Sequence, residues 1–288
     1  MKWFDYAAPR SVQEATRLLA EHPDARMLAG GTDILPQLRA GRRSTSLVVD
    51  IKKIPEISAI TFDAAGNLTL GAAVPCHRVY EDLRIRKQFP ALAEVASIIG
   101  GIPIQGRASI GGNLCNASPS ADSVPLLIAL SATAEIAGPS GGRSLPVEQF
   151  CVAPGRNALS PSELLISIRI PAMPPHSGAH YLRFIPRNEM DIAVVGAGAS
   201  LTLSGGLIHS ARIALGAVAP TPVLASDAAA SLAGREAGAE ALEHAATLAK
   251  HAANPISDMR GTAEYRRHLA YVLTRRALEH ALNAARGN

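Results

Sequence analysis

At 288 residues, with 48% hydrophobic and 18% charged side chains, the chain has the balance of a folded globular protein and the length for two or three domains around separate cores. Its net charge of +4 is scattered, with no aromatic side chains interleaved among the pairs Arg42-Arg43, Arg266-Arg267 and Arg275-Arg276, which argues against a nucleic-acid partner. Three dispersed cysteines without a CxxC pair are too few for an iron-sulfur cluster and read as a reduced, cytoplasmic protein; the opening MKWFDYAAPR is no secretory signal, and no stretch approaches the ~18 uninterrupted apolar residues of a membrane span.

The opening KWFDY reads as a strand. Ser11 and Glu14 form an S-x-x-E capping box ahead of Val12, Ala15, Leu18 and Leu19 at helical spacing, so a helix is expected from about residue 11 to before Pro23. A buried strand at 25–29 runs straight into Gly30-Gly31. A short helix at 34–39 and a strand at 46–50 then complete a small β-α-β-like unit.

From about Ile60 the pattern changes to short strands and turns. ITF, Ala65-Gly66-Asn67 and LTLGA form a hairpin, and helical stretches follow at 80–86 and 91–99. A second glycine-rich passage runs from Gly100 to Gly112. AEIAG, a turn at Gly141-Gly142 and RSLPV make another hairpin, and LLISIRI at 164–170 alternates with one wholly aliphatic face, so this middle region reads as an antiparallel sheet with helices against it.

PAMPPHSG, residues 171–178, marks a domain boundary. Beyond it, DIAVVGAGASLTL, a turn at Ser204-Gly205-Gly206 and LIHSARIALGAV form a hairpin of two long strands. Helices are expected at 236–252 and 262–285, the last with Tyr265, Leu269, Val272, Leu273 and Ala277 on one face. The domains read as 1–56, 57–174 and 175–288.

A Gly-Gly pair after a buried strand leaves backbone N–H groups uncovered by any Cβ, and a helix starting just beyond adds its own free N–H groups, so AGGTDI suits a diphosphate. Alone, the motif reads more readily as a tight strand-to-helix turn. ASIGGNLCNASPSAD repeats the arrangement, setting Gly111-Gly112 beside Ser109 and Asn113 roughly eighty residues further on, and one ligand with a diphosphate bridge would draw on both loops. Neither is a G-x-x-x-x-G-K-[ST] cradle. GAGAS at 196–200 has Leu201 at the last glycine position of G-x-G-x-x-G and lies in a hairpin, so small residues for tight sheet packing explain it better than a dinucleotide turn. His176 and His180 sit in a Pro-Gly linker, a poor setting for a metal pair, and Cys115 reads as a small buried filler.

LAGGTDILPQL with ASIGGNLCNASPSADSVPLL, then ELLISIRIP, RFIPRNEMDIAVVGAGASL, ARIALGAVAPTP and YRRHLAYVLTRRAL, resemble the FAD-binding medium subunit of the molybdenum hydroxylases over nearly the whole chain. That family includes bacterial carbon monoxide dehydrogenase, nicotinate, quinoline and caffeine dehydrogenases, and the central part of xanthine dehydrogenase. The resemblance implies an α+β fold: a two-subdomain FAD-binding domain of the PCMH/vanillyl-alcohol-oxidase type plus a small α+β C-terminal domain of antiparallel sheet with helices. It also implies an electron relay in which a large subunit with a molybdenum-pterin cofactor oxidises the substrate, a small subunit carries two [2Fe-2S] clusters, and FAD here passes electrons to an external acceptor. A dimer of such heterotrimers is the implied assembly.

Carried over by position, Leu28, Ala29, Gly30, Gly31, Thr32, Asp33, Ile34 and Leu35 would wrap the FAD diphosphate, as would Ser109, Ile110, Gly111, Gly112 and Asn113. Asp122 matches an acidic residue on the adenosine side, Leu165 a leucine near the adenine, Ile99 a residue beside the flavin, and Arg183 a lysine close to the cofactor. Catalysis would be borne by the flavin, with no catalytic side chain of the chain's own and no metal ligands. Gln105-Gly106 stand where many relatives have Arg-Asn, which alters the charge near the cofactor. The three dispersed cysteines rule out the variant with an inserted cluster-binding segment. A cofactor-less scaffold and a stand-alone flavin oxidoreductase are the alternative readings; the intact glycine pairs argue against the first, and the lack of room for a substrate cap against the second.

Overall fold

A computed structural model of the chain describes residues 2–187 and 190–287. Three main sheets follow one another along the described residues, with a two-stranded ribbon of Cys151–Ala153 and Arg156–Asn157 besides. The first is parallel, with the strand Leu47–Asp50 between Asp5–Ala7 and Arg26–Leu28. All four residues of the central strand are buried, as a parallel strand covered on both faces requires. The helix Val12–Glu21 crosses between the first two strands. Ser11 Oγ accepts the Glu14 amide at 3.2 Å, and the Glu14 carboxylate reaches back to the Arg10 amide, one residue before the usual N-cap partner.

The second sheet is antiparallel, in the order Ile60–Phe62, Leu68–Gly71, Leu164–Ile170, Thr133–Gly138 and Gly141–Pro146. Its long excursion from Gly71 to Thr133 holds six short helices, two of which replace the single helix expected at 80–86. Asp82 breaks that helix: its backbone is extended, and its carboxylate caps the Arg84 and Ile85 amides, so Cys76–Glu81 ends where Leu83–Gln88 begins. One continuous apolar core joins the first two sheets.

The third sheet, Ser177–Phe184, Val195–Ser204, Leu207–Gly216 and Val223–Leu224, is antiparallel and has its own core against the helices Ala239–Ala252 and Ala263–Gly287. Its other side covers the helix Ser123–Ala129, all of whose residues are buried. A Cβ on Gly198 would lie 2.6 Å from the Pro125 carbonyl oxygen, so the small residues of GAGAS do serve close packing. The sheet also satisfies the last carbonyls of that helix: Arg212 Nε donates to Ile128 O at 2.9 Å and Ser200 Oγ to Ala129 O at 2.6 Å.

The last helix departs from its expected face. Leu269, Leu273 and Ala277 are buried, but Tyr265 is 41% exposed and Val272 half-buried, while Arg266, Ala270 and Thr274 turn inward. Tyr265 instead lays its ring edge against Phe184, 5.9 Å between centroids.

Candidate functional site

The strand Arg26–Leu28 ends at the first glycine pair and the helix Ile34–Arg39 starts just beyond it. Gly31 is left-handed at φ +79°, a conformation glycine adopts without penalty. A Cβ on Gly30 would overlap the Arg107 carbonyl oxygen, and Arg107 Nε donates back to the Gly30 carbonyl at 2.8 Å. The two loops therefore lie backbone against backbone. Gly111 meets the Ala72 carbonyl in the same way, so these glycines are required by the protein's own packing as well as by any ligand.

In the second loop Ser109 caps the helix Ile110–Cys115, its Oγ accepting the Gly112 amide at 3.0 Å. Asn113 is oriented through its Oδ1, which accepts from Ser123 Oγ at 2.7 Å. Gln105 does not face the cofactor region as the position of a family Arg would suggest: it is buried, and its Nε2 donates to the Ser97 carbonyl at 2.6 Å.

The loops wall a cavity of about 920 Å³, near the upper end for small-molecule sites. Ala29, Gly30, Gly31, Thr32, Asp33 and Ile34 line it from the first loop, Ser109, Gly111, Gly112 and Asn113 from the second, and Ile99, Asp122 and Leu165 from elsewhere. Four expected residues do not reach its lining. Leu28 and Leu35 pack side chain to side chain beneath Gly31, and Ile110 is buried in the main core. Arg183 stands behind Asp122, its guanidinium 2.6 Å from the carboxylate.

Asp122 is held by both of its oxygens, the second accepting from Tyr181 Oη at 2.8 Å. Burial raises its pKa against the opposing pull of Arg183 and Tyr181, and burial beside this carboxylate pushes the Tyr181 phenol well above its ordinary value. Asp33 is open to solvent on one side, yet the surrounding cavity wall desolvates it enough to raise its carboxyl pKa. Glu163, also in the lining, is drawn down to about 2 by the two-pronged Arg143 guanidinium. The Cys115 thiol is pushed up to about 12 by burial, which suits a filler rather than a nucleophile.

Sequence reasoning missed Arg26, Arg156, Met190 and Ile192 in the lining, and Tyr181 behind it. Arg26 alone carried a usable signal, a charged residue inside the strand that delivers the glycine pair. Its Nε is buried with no hydrogen-bond partner among the described residues, while Nη1 makes a long bond, 3.4 Å, to the Ala25 carbonyl. A half-buried arginine whose Nε is short of an acceptor in the wall of a glycine-lined cavity suits an anionic ligand.

Two glycine loops walling one large cavity on this frame define a protein with room for a large cofactor. Comparison with known proteins identifies the cofactor: residues 2–173 match the family described as FAD binding domain in molybdopterin dehydrogenase, and residues 180–281 the CO dehydrogenase flavoprotein C-terminal domain. The chain belongs to this family of FAD-binding dehydrogenase subunits. It is 33% identical to the xanthine dehydrogenase FAD-binding subunit of Escherichia coli O157:H7, over 99% of each chain, and 34% identical to the carbon monoxide dehydrogenase medium chain of Afipia carboxidovorans, over 96% of each. A solved structure of carbon monoxide dehydrogenase from Hydrogenophaga pseudoflava, lacking the Mo-pyranopterin moiety, superposes with a TM-score of 0.94 at 32% identity, covering 98% of both chains. The residues present fit FAD: two glycine-bearing loops in one wall, a cavity of sufficient size and an arginine Nε short of acceptors.

Proposed function

We propose that the chain is the FAD-carrying relay of a molybdenum hydroxylase, taking electrons from the [2Fe-2S] clusters of a small subunit and passing them to an external acceptor. A large subunit with the molybdenum-pterin cofactor oxidises the substrate, and two such heterotrimers pair in the cytoplasm. The relatives' names as medium chains and FAD-binding subunits support the heteromeric part, and no helix among the described residues is long and apolar enough to cross a membrane. The succession of sheets supports the division into 1–56, 57–174 and 175–288.

One observation carries the reading: two glycine loops locked together through Gly30 and Arg107 wall a single large cavity. Bound there, FAD supplies the exchange between two-electron and one-electron carriers. The loops 29–34 and 109–113 wrap the diphosphate, with Arg26 as the nearby cation. Leu28, Leu35 and Ile110 support the loops from beneath. Asp122 and Leu165 form the adenosine side and Ile99 the flavin side, while Arg183 and Tyr181 act by fixing the Asp122 carboxylate.

The test is the visible spectrum and acid-released cofactor of the purified full chain, before and after incubation with FAD. A flavin spectrum with about one FAD per chain is expected. A folded chain that takes up no FAD, even with its partner subunits present, overturns the relay and leaves the scaffold reading.

A further inference from the structure

Arg266, on the last helix, is buried at 4% exposure and takes no part in the reading above. Its guanidinium serves three elements. Nη1 donates to the Val194 carbonyl at 2.7 Å and the Ala217 carbonyl at 3.3 Å, and Nη2 to the Asp258 carboxylate at 2.6 Å. Nε has no partner among the described residues, so the group is placed to hold these acceptors rather than to satisfy itself.

Both carbonyls lead to the cofactor cavity. Val194 lies two residues beyond Ile192, and Met190, Asp191 and Ile192 line the cavity. Ala217 is left-handed at φ +60°, a strained state for a residue with a Cβ, and its amide donates at 2.6 Å to the Pro119 carbonyl. Pro119 sits between Ser118 and Ser120, which line the cavity from another side. One side chain thus holds the backbone beside the paired ends of the strands Val195–Ser204 and Leu207–Gly216, two residues from one wall and one hydrogen bond from the other, and the strain at Ala217 persists where Arg266 and Pro119 hold it from either side.

Resting on the reading of this cavity as the FAD site, we propose that Arg266 is a positioning residue, holding the 190–192 wall and the 118–122 wall at a fixed separation from within the C-terminal domain. A buried charge is costly to desolvate, and an apolar side chain would fill this alanine- and leucine-rich core more simply. What an apolar residue cannot do is tie to one point the two carbonyls from which the chain leads to separate walls.

The test uses the full chain with FAD and the variant R266K, which keeps the charge but not the fork. The expected result is FAD held on the order of tenfold more weakly, as for loss of one charged hydrogen bond, and bound flavin more open to quenching by iodide. A folded R266K that binds and shields FAD as the wild type does overturns the proposal. Wild-type chain that takes up no FAD overturns the cofactor reading and this inference with it. A second measurement needs no variant: adding FAD to the wild-type apo-chain should slow amide exchange at Val194 and Ala217, and unchanged exchange at both overturns the proposal.

Discussion

Gly30 shows how one residue ties packing to binding. An alanine there drives its Cβ into the Arg107 carbonyl, so either the two loops separate or the first distorts. Gly30→Ala is expected to destabilise the protein by about 1–3 kcal/mol, as overpacking does, and to weaken FAD binding by more than the stability loss alone would imply. Thermal melts with and without FAD check this; an equal loss in both would mean that the loop contact supports only the fold. The GG pair, the hydroxyls and Asn113 were visible in the sequence because they are local chemistry. That Gly30 answers to Arg107, 77 residues away, was not, because the contact is made by chain closure.

Among the elements, the helix Ser123–Ala129 is buried on every side, and its final carbonyls depend on side chains of another sheet. Arg212 both donates to Ile128 and pairs with Glu148 at 2.8 Å, and Glu148 Oε2 already lacks a partner. Arg212→Met therefore leaves a carbonyl and a carboxylate short of donors, and a loss of about 2–4 kcal/mol is expected in a denaturant melt. A change under 0.5 kcal/mol, the usual range for surface substitutions, would show that water takes the arginine's place. Element types were legible where periodicity was strong, as in the long hairpin and the strand Leu164–Ile170. The break at Asp82 and the rotated face of the last helix were not. Each depends on a polar side chain choosing a backbone partner over the apolar pattern, Asp82 as a cap and Arg266 as a buried donor.

Across the whole molecule, the cofactor part meets the C-terminal part where Glu94 faces a stacked imidazole pair. His180, on the strand Ser177–Phe184, lies 4.4 Å from His280 on the last helix and 3.4 Å from Glu94 on the helix Pro90–Ile98. Burial, then the facing His280, lower the His180 pKa to about 4. A histidine with a depressed folded pKa contributes stability that is present above its ordinary value of about 6.5 and is lost as pH falls toward 4. Stability is expected to drop by up to about 2 kcal/mol over that window, less than the full shift implies because the site is partly solvated. His180→Gln should flatten the dependence; an identical pH profile for the variant would assign the loss to other groups.

The sequence by itself determined the order of elements, the two glycine loops and, through a family resemblance spread along the chain, the FAD-binding role. These rest on periodicity, turn chemistry and motifs, all short-range properties of the chain. Only the tertiary structure decided which residues form the cavity: it brought Arg26 and Ile192 to the wall, set Leu28, Leu35 and Ile110 beneath it, and turned Arg183 onto Asp122. Side-chain direction and long-range hydrogen bonding follow from how the three sheets close on one another, which no local pattern encodes.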